Sequence, residues 1–244
     1  AVSGSVATTA TATTNVSSVA ITQGTVTNAN NTNYDITFTN GALTIGTKTL
    51  TATASASNKV YDGNTTASVT LTFTGLVGSE TLGQSVGATF ADKNVANAKT
   101  VTVNSITLSD DGGLASNYSI ATGQTATANI TQLSSVTWNG NAGDGLWSSA
   151  SNWAGSAIPD QNNVATAVIP SDESVTFDSD TVGTIGSTIT NNGTLTFNGA
   201  TDYTFGQVIS GSGALVKSNT NTLTLNATNT FTGDTTISAG TIKL

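Results

Sequence analysis

Histidine, cysteine, methionine and arginine are all absent from this chain of 244 residues. Without histidine and cysteine, the chain lacks the usual general base near neutral pH, the thiolate nucleophile and the common soft metal ligands. A Ser-His-Asp triad and any zinc site that contains histidine are therefore excluded. The residue inventory still allows hydrolysis by a pair of carboxylates, but we expect no enzymatic activity.

Positive charge is also scarce, because the net charge is −8 with six lysines against fourteen acidic residues. Phosphate binding needs clustered Lys and Arg, so no nucleic acid partner is expected. No stretch approaches the roughly 18 consecutive apolar residues of a membrane helix, so no membrane insertion is expected. The first residues lack the basic end and the apolar run of a signal peptide, and we expect any export signal outside this chain.

Threonine supplies about a fifth of the residues, and β-branched residues favour strands while Gly and Asn favour turns. No window shows the 3.6-residue period of a helix. Apolar residues instead alternate with hydroxyl or amide residues, which predicts strands with one buried face. The alternating runs are residues 69–74, 100–108, 194–198 and 222–226. Turn-forming clusters lie between them, at residues 28–33, 110–113, 139–145, 191–193 and 211–213.

Residues 9–47 resemble the latter half of the MBG repeats of large bacterial surface proteins. The match rests on Asn15-Val16, Asn33-Tyr34, Phe38, Asn40-Gly41 and Leu43-Thr44-Ile45. Asn40-Gly41 is a strong hairpin signal, because both residues tolerate positive φ. The resemblance implies a partial MBG-like repeat over residues 1–47. Its exposed edge strand would allow self-association by strand addition to another copy.

Residues 48–133 resemble a YDG domain, and the signature stands intact as Lys59-Val60-Tyr61-Asp62-Gly63. Further matches follow in order at Phe90 to Val95, Lys99-Thr100-Val101, Asn117-Tyr118 and residues 126–130. A ligand site at Tyr61-Asp62-Gly63 is one interpretation. We favour a structural role, in which Tyr61 packs against the sheet and hydrogen-bonds its hydroxyl while Asp62 and Gly63 make a turn.

Residues 134–244 resemble the opening of a β-helical passenger domain, and about 205–244 are similar to the autotransporter-associated β-strand repeat. The first match runs from Val136-Thr137-Trp138-Asn139-Gly140 to Pro159; the second rests on residues 209–217, 222–225 and 229–242. The resemblance implies a β-solenoid whose rungs each bury one or two aliphatic residues and turn on Gly or Asn. Both ends of the chain are expected to be cut through repeating architecture.

Taken together, these segments predict an all-β fold with small β-sandwich-like or β-grasp-like modules in series, followed by the start of a right-handed β-solenoid. The whole resembles a type V secreted bacterial adhesin, either filamentous-haemagglutinin-like or an autotransporter passenger. This resemblance implies a structural and adhesive role and a secreted or cell-surface location, with outer-membrane association through the parent protein. Export by the autotransporter or the two-partner route stays open, and the implied partner is a protein or glycan of a host, matrix or neighbouring cell.

The three tryptophans, Trp138, Trp147 and Trp153, are the main candidate ligand residues. With Asp144 and Asn152 beside them, their rings could bind a sugar, which would make this segment a carbohydrate-binding module. The interpretation that we favour is a cap, in which large aromatic side chains cover the open end of the solenoid.

Two acidic clusters offer oxygen ligands for Ca²⁺, which prefers several carboxylate and carbonyl groups. One consists of Asp172, Glu173, Asp178 and Asp180, and the other of Asp110 and Asp111 followed by Gly112. Neither matches the EF-hand loop or the nonapeptide calcium repeat, so solvated acidic loops without a cofactor are favoured. The first cluster would also supply the facing carboxylates of a glycosidase or polysaccharide lyase. A last alternative is an ice-binding face, which needs the same Thr-x-Thr ranks in every rung.

Overall fold

The computed structural model describes residues 1–178 and 185–244. Strands are its regular structure, and the described residues contain no α-helix. Four short 3-10 segments accompany the strands: η1 (Asn28–Asn30), η2 (Ala115–Asn117), η3 (Ala150–Asn152) and η4 (Ala154–Ser156). In the part of the chain that is described, no helix is long and apolar enough to cross a membrane. The predicted all-β class is therefore confirmed.

The chain divides into two compact units. The first contains Ala1–Ala54, Thr70–Val86 and Val103–Gln124, and the second contains Ser55–Val69, Gly87–Thr102 and Thr125–Leu244.

The first unit begins with an antiparallel sheet of three strands, β1 (Ala7–Thr8), β2 (Ser17–Thr22) and β3 (Gly41–Ile45). The strand β3 is an edge strand, and four of its five residues are exposed. The predicted hairpin turn at Asn40-Gly41 is wrong. Neither residue has positive φ, and residues 35–40 form no strand, because β3 pairs with β2 instead.

The hydrophobic core of the first unit lies beside a second sheet, formed by β4 (Lys48–Ala56), β7 (Val69–Thr74) and β10 (Tyr118–Ile120) in the order β10-β4-β7. Leu50, Leu82 and Tyr118 are buried there, and Phe73 and Leu108 pack against them. Leu50 and Tyr118 come from strands that run parallel to each other. On β7, the alternating residues 69–74 place Leu71 and Phe73 on the inward face of the strand.

A five-stranded sheet carries the signature segments of the YDG-like region. Its strands are β5 (Lys59–Val60), β6 (Thr66–Ala67), β8 (Leu82–Phe90), β9 (Ala96–Asp110) and β11 (Thr125–Thr131), in the order β5-β11-β9-β8-β6. In the second unit its buried residues include Phe90, Val101 and Ile130. The parallel pairing of β5 with β11 fixes the position of the chain as it enters the signature turn.

The remaining strands form three parallel sheets, which together make a β-solenoid of about four turns. Their order is β12-β13-β15-β18, β14-β16-β19-β21 and β17-β20-β22. The strands are β12 (Leu133–Thr137), β13 (Val164–Ile169), β14 (Ser174–Phe177), β15 (Thr188–Asn191), β16 (Thr194–Phe197), β17 (Tyr203–Phe205), β18 (Ile209–Ser210), β19 (Ala214–Lys217), β20 (Thr222–Leu225), β21 (Thr235–Ile237) and β22 (Thr241–Lys243). Successive rungs align residue by residue, since Leu195 pairs with Leu215 and Leu215 with Thr235.

The interior of the solenoid consists of columns of side chains stacked from rung to rung. Val136, Ala167, Ile189 and Ile209 form one column and are all buried. The rows of threonines that are not buried extend over fewer rungs than the buried column. Thr176 pairs with Thr196, but Thr196 pairs with Val216 in the next rung. The same threonine ranks therefore do not recur in every rung, which removes the basis of the ice-binding alternative.

Candidate functional site

The three tryptophans lie inside the first turn of the solenoid. Trp138, Trp147 and Trp153 are only 2%, 0% and 1% exposed. The ring of Trp153 makes edge contacts with Trp138 and Trp147, with centroid distances of 5.1 and 4.7 Å. Trp147 also contacts Phe177 of the next rung at 5.4 Å. Such offset and edge-on aromatic contacts stabilise a core beyond the area that they bury.

The indole N–H groups of these tryptophans are also used internally. Trp153 donates to the carbonyl of Trp147 at 2.8 Å, and Trp147 donates to the carbonyl of Pro159 at 3.3 Å. Trp138 donates to Oε2 of Glu173 at 3.2 Å. With both the ring faces and the polar atoms engaged, these tryptophans offer no surface to a sugar. This corrects the carbohydrate-binding alternative, whereas the placement agrees with the cap interpretation.

Asp144 and Asn152, the polar candidates beside the tryptophans, organise the loop that joins them. Asp144 Oδ1 accepts hydrogen bonds from the Leu146 amide at 2.9 Å and from Asn152 Nδ2 at 2.7 Å. Its other oxygen accepts from Ser149 Oγ. These bonds, led by that from Ser149, lower the pKa of Asp144 below its ordinary range. Buried Asn152 accepts from the Ala142 amide at 2.7 Å, so both candidate side chains bond to the protein itself.

Two acidic residues of the predicted calcium cluster, Glu173 and Asp178, have separate hydrogen-bond partners and do not share one site. Glu173 accepts the Trp138 indole N–H, and Asp178 accepts from the amide and the hydroxyl of Ser148. Asp172 is exposed in a turn with φ of 66°, and Asp180 lies outside the described residues. Among residues 1–178 and 185–244, no group of three or more potential ligands is placed to hold a metal ion.

The second acidic cluster, at Asp110 and Asp111, belongs to a turn at the end of β9. Asp110 Oδ1 accepts from the Ala115 amide at 2.7 Å, which begins η2. The carbonyl of Asp111 accepts from the Thr81 hydroxyl. Both contacts hold the loop against its own chain, as expected for a turn.

The YDG signature forms a turn around Lys59. Its ammonium group contacts Asp62 Oδ1 at 2.7 Å and donates to the Asn64 carbonyl at 2.8 Å. Asp62 Oδ1 also accepts from the Asn64 amide at 3.2 Å. Gly63 has φ of 79°, a backbone conformation that glycine adopts without strain. Asp62 and Gly63 therefore make the turn that the sequence predicted.

Tyr61 is buried between this turn and the loop that precedes β13. Its hydroxyl donates to the Ile158 carbonyl at 3.1 Å and accepts from Lys93 Nζ at 3.3 Å. Lys93 also forms an ion pair with Asp160 at 2.8 Å. Burial and then the charge of Asp160 raise the pKa of Tyr61, although Lys93 lowers it in part. Burial opposes the charged form of Lys93, but hydrogen bonds and charges from Asp160 and Tyr61 outweigh it and raise the pKa of its ammonium group.

Two features of the solenoid have no counterpart in the sequence-based candidates. Asp160 and buried Asn163 contact Lys93 and Val95 of the YDG-like region, which lie 67 and 68 residues earlier in the sequence. Lys217 is buried in the column of Phe177 and Phe197, and its Nζ donates to the Asn219 carbonyl and to Asn221 Oδ1. Burial lowers the pKa of Lys217. The inward position of Lys217 follows from the alternating burial of residues 214–217 in the structure, where Leu215 and Lys217 are the buried residues.

Comparison with known families gives two matches. A YDG domain model matches residues 46–128, and a passenger-associated-transport-repeat model matches residues 215–244. No curated protein and no solved structure matches the chain. The MBG resemblance of residues 1–47 stays a prediction.

The YDG domain, the transport repeat and the solenoid together define a class of protein, the adhesin-like autotransporter passengers. This chain fits a segment of such a passenger. The transport repeat implies a secreted passenger, and hence a secreted or surface location.

Proposed function

We propose that this segment is a structural spacer in a bacterial surface adhesin and positions an adhesive contact away from the cell. The observation that carries the proposal is the residue-by-residue stacking of the solenoid rungs. Each rung contacts only its neighbours, so a stack of rungs extends by roughly 4.8 Å for each rung added. The buried tryptophans and the self-contained polar loops support a structural role, because they engage their polar groups within the chain.

The proposal includes the partners and the location of the parent protein. Its adhesive contact would meet a protein or glycan of a host, matrix or neighbouring cell, while the segment itself needs no cofactor and catalyses no reaction. The parent would be associated with the outer membrane, and its export by an autotransporter or a two-partner route is left open. Self-association through the exposed edge strand β3 is a further part of the proposal, supported by its position in the sheet.

Deletion of one complete rung tests the spacer function in the parent protein. Removing residues 194–213 joins Gly193 to Ala214 and leaves β14 facing β19 in the register that β16 had. The control removes residues 194–208, which is shorter but breaks the register. We expect the first variant to reach the cell surface with protease resistance and adhesion unchanged, and the control to be degraded.

Adhesion measurements on the displayed parent protein distinguish a spacer from a binding surface. If the solenoid acts only as a spacer, cells that display the in-register deletion adhere to host cells and matrix as strongly as cells that display the unaltered protein do. Loss of adhesion in a folded and displayed variant would contradict the proposal. Electron microscopy of the parent protein provides an independent check, because a compact globule in place of an elongated rod would also contradict it.

A further inference from the structure

The YDG signature and Lys93, which hydrogen-bonds to Tyr61, make a set of contacts that the turn itself does not require. They all reach residues 156–163, the segment that leads into β13 and is called the entrance loop below. Tyr61 donates its hydroxyl hydrogen to the Ile158 carbonyl, and Lys93 pairs with Asp160. A turn that needed only internal stability would be complete with Lys59, Asp62 and Asn64.

Gly63 is constrained by the entrance loop as well as by its backbone conformation. A Cβ atom added to Gly63 would lie 2.5 Å from the carbonyl oxygen of Ser156 and 3.2 Å from its carbonyl carbon. The obstacle is backbone and cannot move aside as a flexible side chain could. Position 63 is therefore restricted to glycine partly because the entrance loop approaches it so closely.

Asn163 connects the entrance loop to the turn that follows β8. Its side chain is 1% exposed, its Oδ1 accepts from the Val95 amide at 2.8 Å, and its Nδ2 donates to Asn94 Oδ1 at 3.0 Å. The backbone carbonyl of Asn163 accepts from the Leu133 amide at 3.0 Å. A buried amide that satisfies several partners is costly to replace, because each partner would lose its hydrogen bond away from water.

We infer that the YDG signature, together with Lys93, Asn94 and Val95, is a docking surface for the entrance loop of the solenoid. Its partner is a segment of the same chain, which offers a carbonyl, a carboxylate and a buried amide at matched positions. This assigns the signature an intermodular function, and it does not depend on the spacer function proposed above. On this basis, Tyr61 and Gly63 hold the entrance loop in position at the first rung of the solenoid.

Tryptophan fluorescence of the full chain reports on this docking, because Trp147 bonds directly to the entrance loop and the other two tryptophans pack in one cluster with it. Trp147 donates its indole N–H to Pro159, a residue of the loop, and Trp153 packs on Trp147. Release of the loop would expose these rings to water. We therefore expect Tyr61→Phe and Lys93→Met to shift the emission to longer wavelength and to increase acrylamide quenching.

Lys99→Met is the matched control, because Lys99 forms an ion pair with Asp92 at 2.6 Å but has no bond to the entrance loop among its described contacts. In that variant Asp92 keeps its hydrogen bond from the Asn94 amide. We expect unchanged tryptophan emission. A shift as large as that of Lys93→Met would show a general loosening of the region and would overturn the docking assignment.

Hydrogen exchange provides a second readout at the Val95 amide. Asn163→Leu removes its acceptor, and we expect its exchange to accelerate about tenfold or more, as for a lost buried hydrogen bond. Lys93→Met and Asp160→Asn should accelerate it by a smaller factor, and the double variant by less than the product of the two. Unchanged exchange in all three single variants, with the protein folded, would overturn the inference.

Discussion

The sheet of residues 7–45 and the solenoid that begins at β12 are both rich in Thr, Asn and Ala. Only the solenoid buries its apolar residues. In residues 1–47, all of them described, no hydrophobic side chain is buried, and Val16, Tyr34 and Leu43 are among the exposed ones. In the solenoid, Val164, Ile189 and Leu195 are 0% exposed.

The difference comes from closure and not from strand propensity. A single three-stranded sheet has two faces, and an alternating pattern buries one of them only if another layer covers it. Three sheets joined at corners enclose an interior, and each rung then covers the apolar residues of its neighbour. Strand formation and core formation are thus separate consequences of sequence, and each can be tested in both regions.

Truncation of a leucine in each region should give the largest contrast. Leu195→Ala removes a fully buried side chain from the middle of a column, and we expect a loss of about 2–5 kcal/mol in the free energy of unfolding. Leu43→Ala, at a side chain 38% exposed in β3, should change it by no more than about 0.5 kcal/mol. Urea unfolding followed by circular dichroism measures both.

Equal losses from these two truncations would contradict the comparison. They would mean that the sheet of β1, β2 and β3 is covered in solution, for instance by strand addition of a second copy. Light scattering on the unaltered protein separates this case, since a monomeric mass leaves β3 unpaired.

Glycine substitutions should give an intermediate contrast. A Cβ atom at Gly213 would lie 2.3 Å from the carbonyl oxygen of Gly193 in the previous rung. We expect Gly213→Ala to cost about 1–3 kcal/mol, because the overpacked corner would have to move apart. Gly46 has open space around its Cβ position and no positive φ, so Gly46→Ala should be neutral or stabilising by about 0.4–1 kcal/mol.

Thermal unfolding of the two alanine variants measures this contrast, and Gly206→Ala is the control within the solenoid, since nothing lies within 4 Å of its Cβ position. A stable Gly213→Ala together with a damaged Gly206→Ala would refute the corner-packing argument. It would indicate that backbone freedom, and not close approach, selects glycine in these rungs.

Strand positions were predictable from the sequence because alternation is a local property. Residues 69–74 coincide with β7, residues 194–198 and 222–226 contain β16 and β20, and residues 100–108 lie within β9. The turn clusters also fall between strands, except that Asp110 and Asn191 are the last residues of β9 and β15. The prediction of a hairpin at Asn40-Gly41 was wrong because strand pairing outweighed the local turn propensity of these residues, and β3 pairs with β2.

The contacts of the candidate site were less predictable, because they join segments that are distant in sequence. The polar role of Tyr61 was foreseen, yet its partners Ile158 and Lys93 depend on how the entrance loop approaches the turn. Asn163 lies in a polar stretch that resembles any surface loop, although it is buried. Lys217 was not among the sequence-based candidates, and only the fold supplies Asn219 and Asn221 as its acceptors.

The smallest contrast that we predict is in how hydrogen exchange responds to acid, and it compares one loop of the solenoid with one loop of the N-terminal region. In the solenoid, the Leu146 amide is held by a carboxylate, Asp144, whose pKa is lowered by its hydrogen bonds. In the N-terminal region, the Ile36 amide is held by a neutral amide oxygen, Asn28 Oδ1, at 2.8 Å. Only the first acceptor changes charge with pH.

A carboxylate with a lowered pKa stabilises the folded loop above the ordinary value of 3.8, and this contribution is lost as the pH falls through the lower value. The protection factor of the Leu146 amide should therefore fall below pH 3.8, while that of Ile36 should not. In Asp144→Asn, the acid-dependent part of the Leu146 change should disappear. If both amides lost protection together in the unaltered protein, acid would be acting on the chain as a whole, and Asp144 would not be the group that distinguishes the two loops.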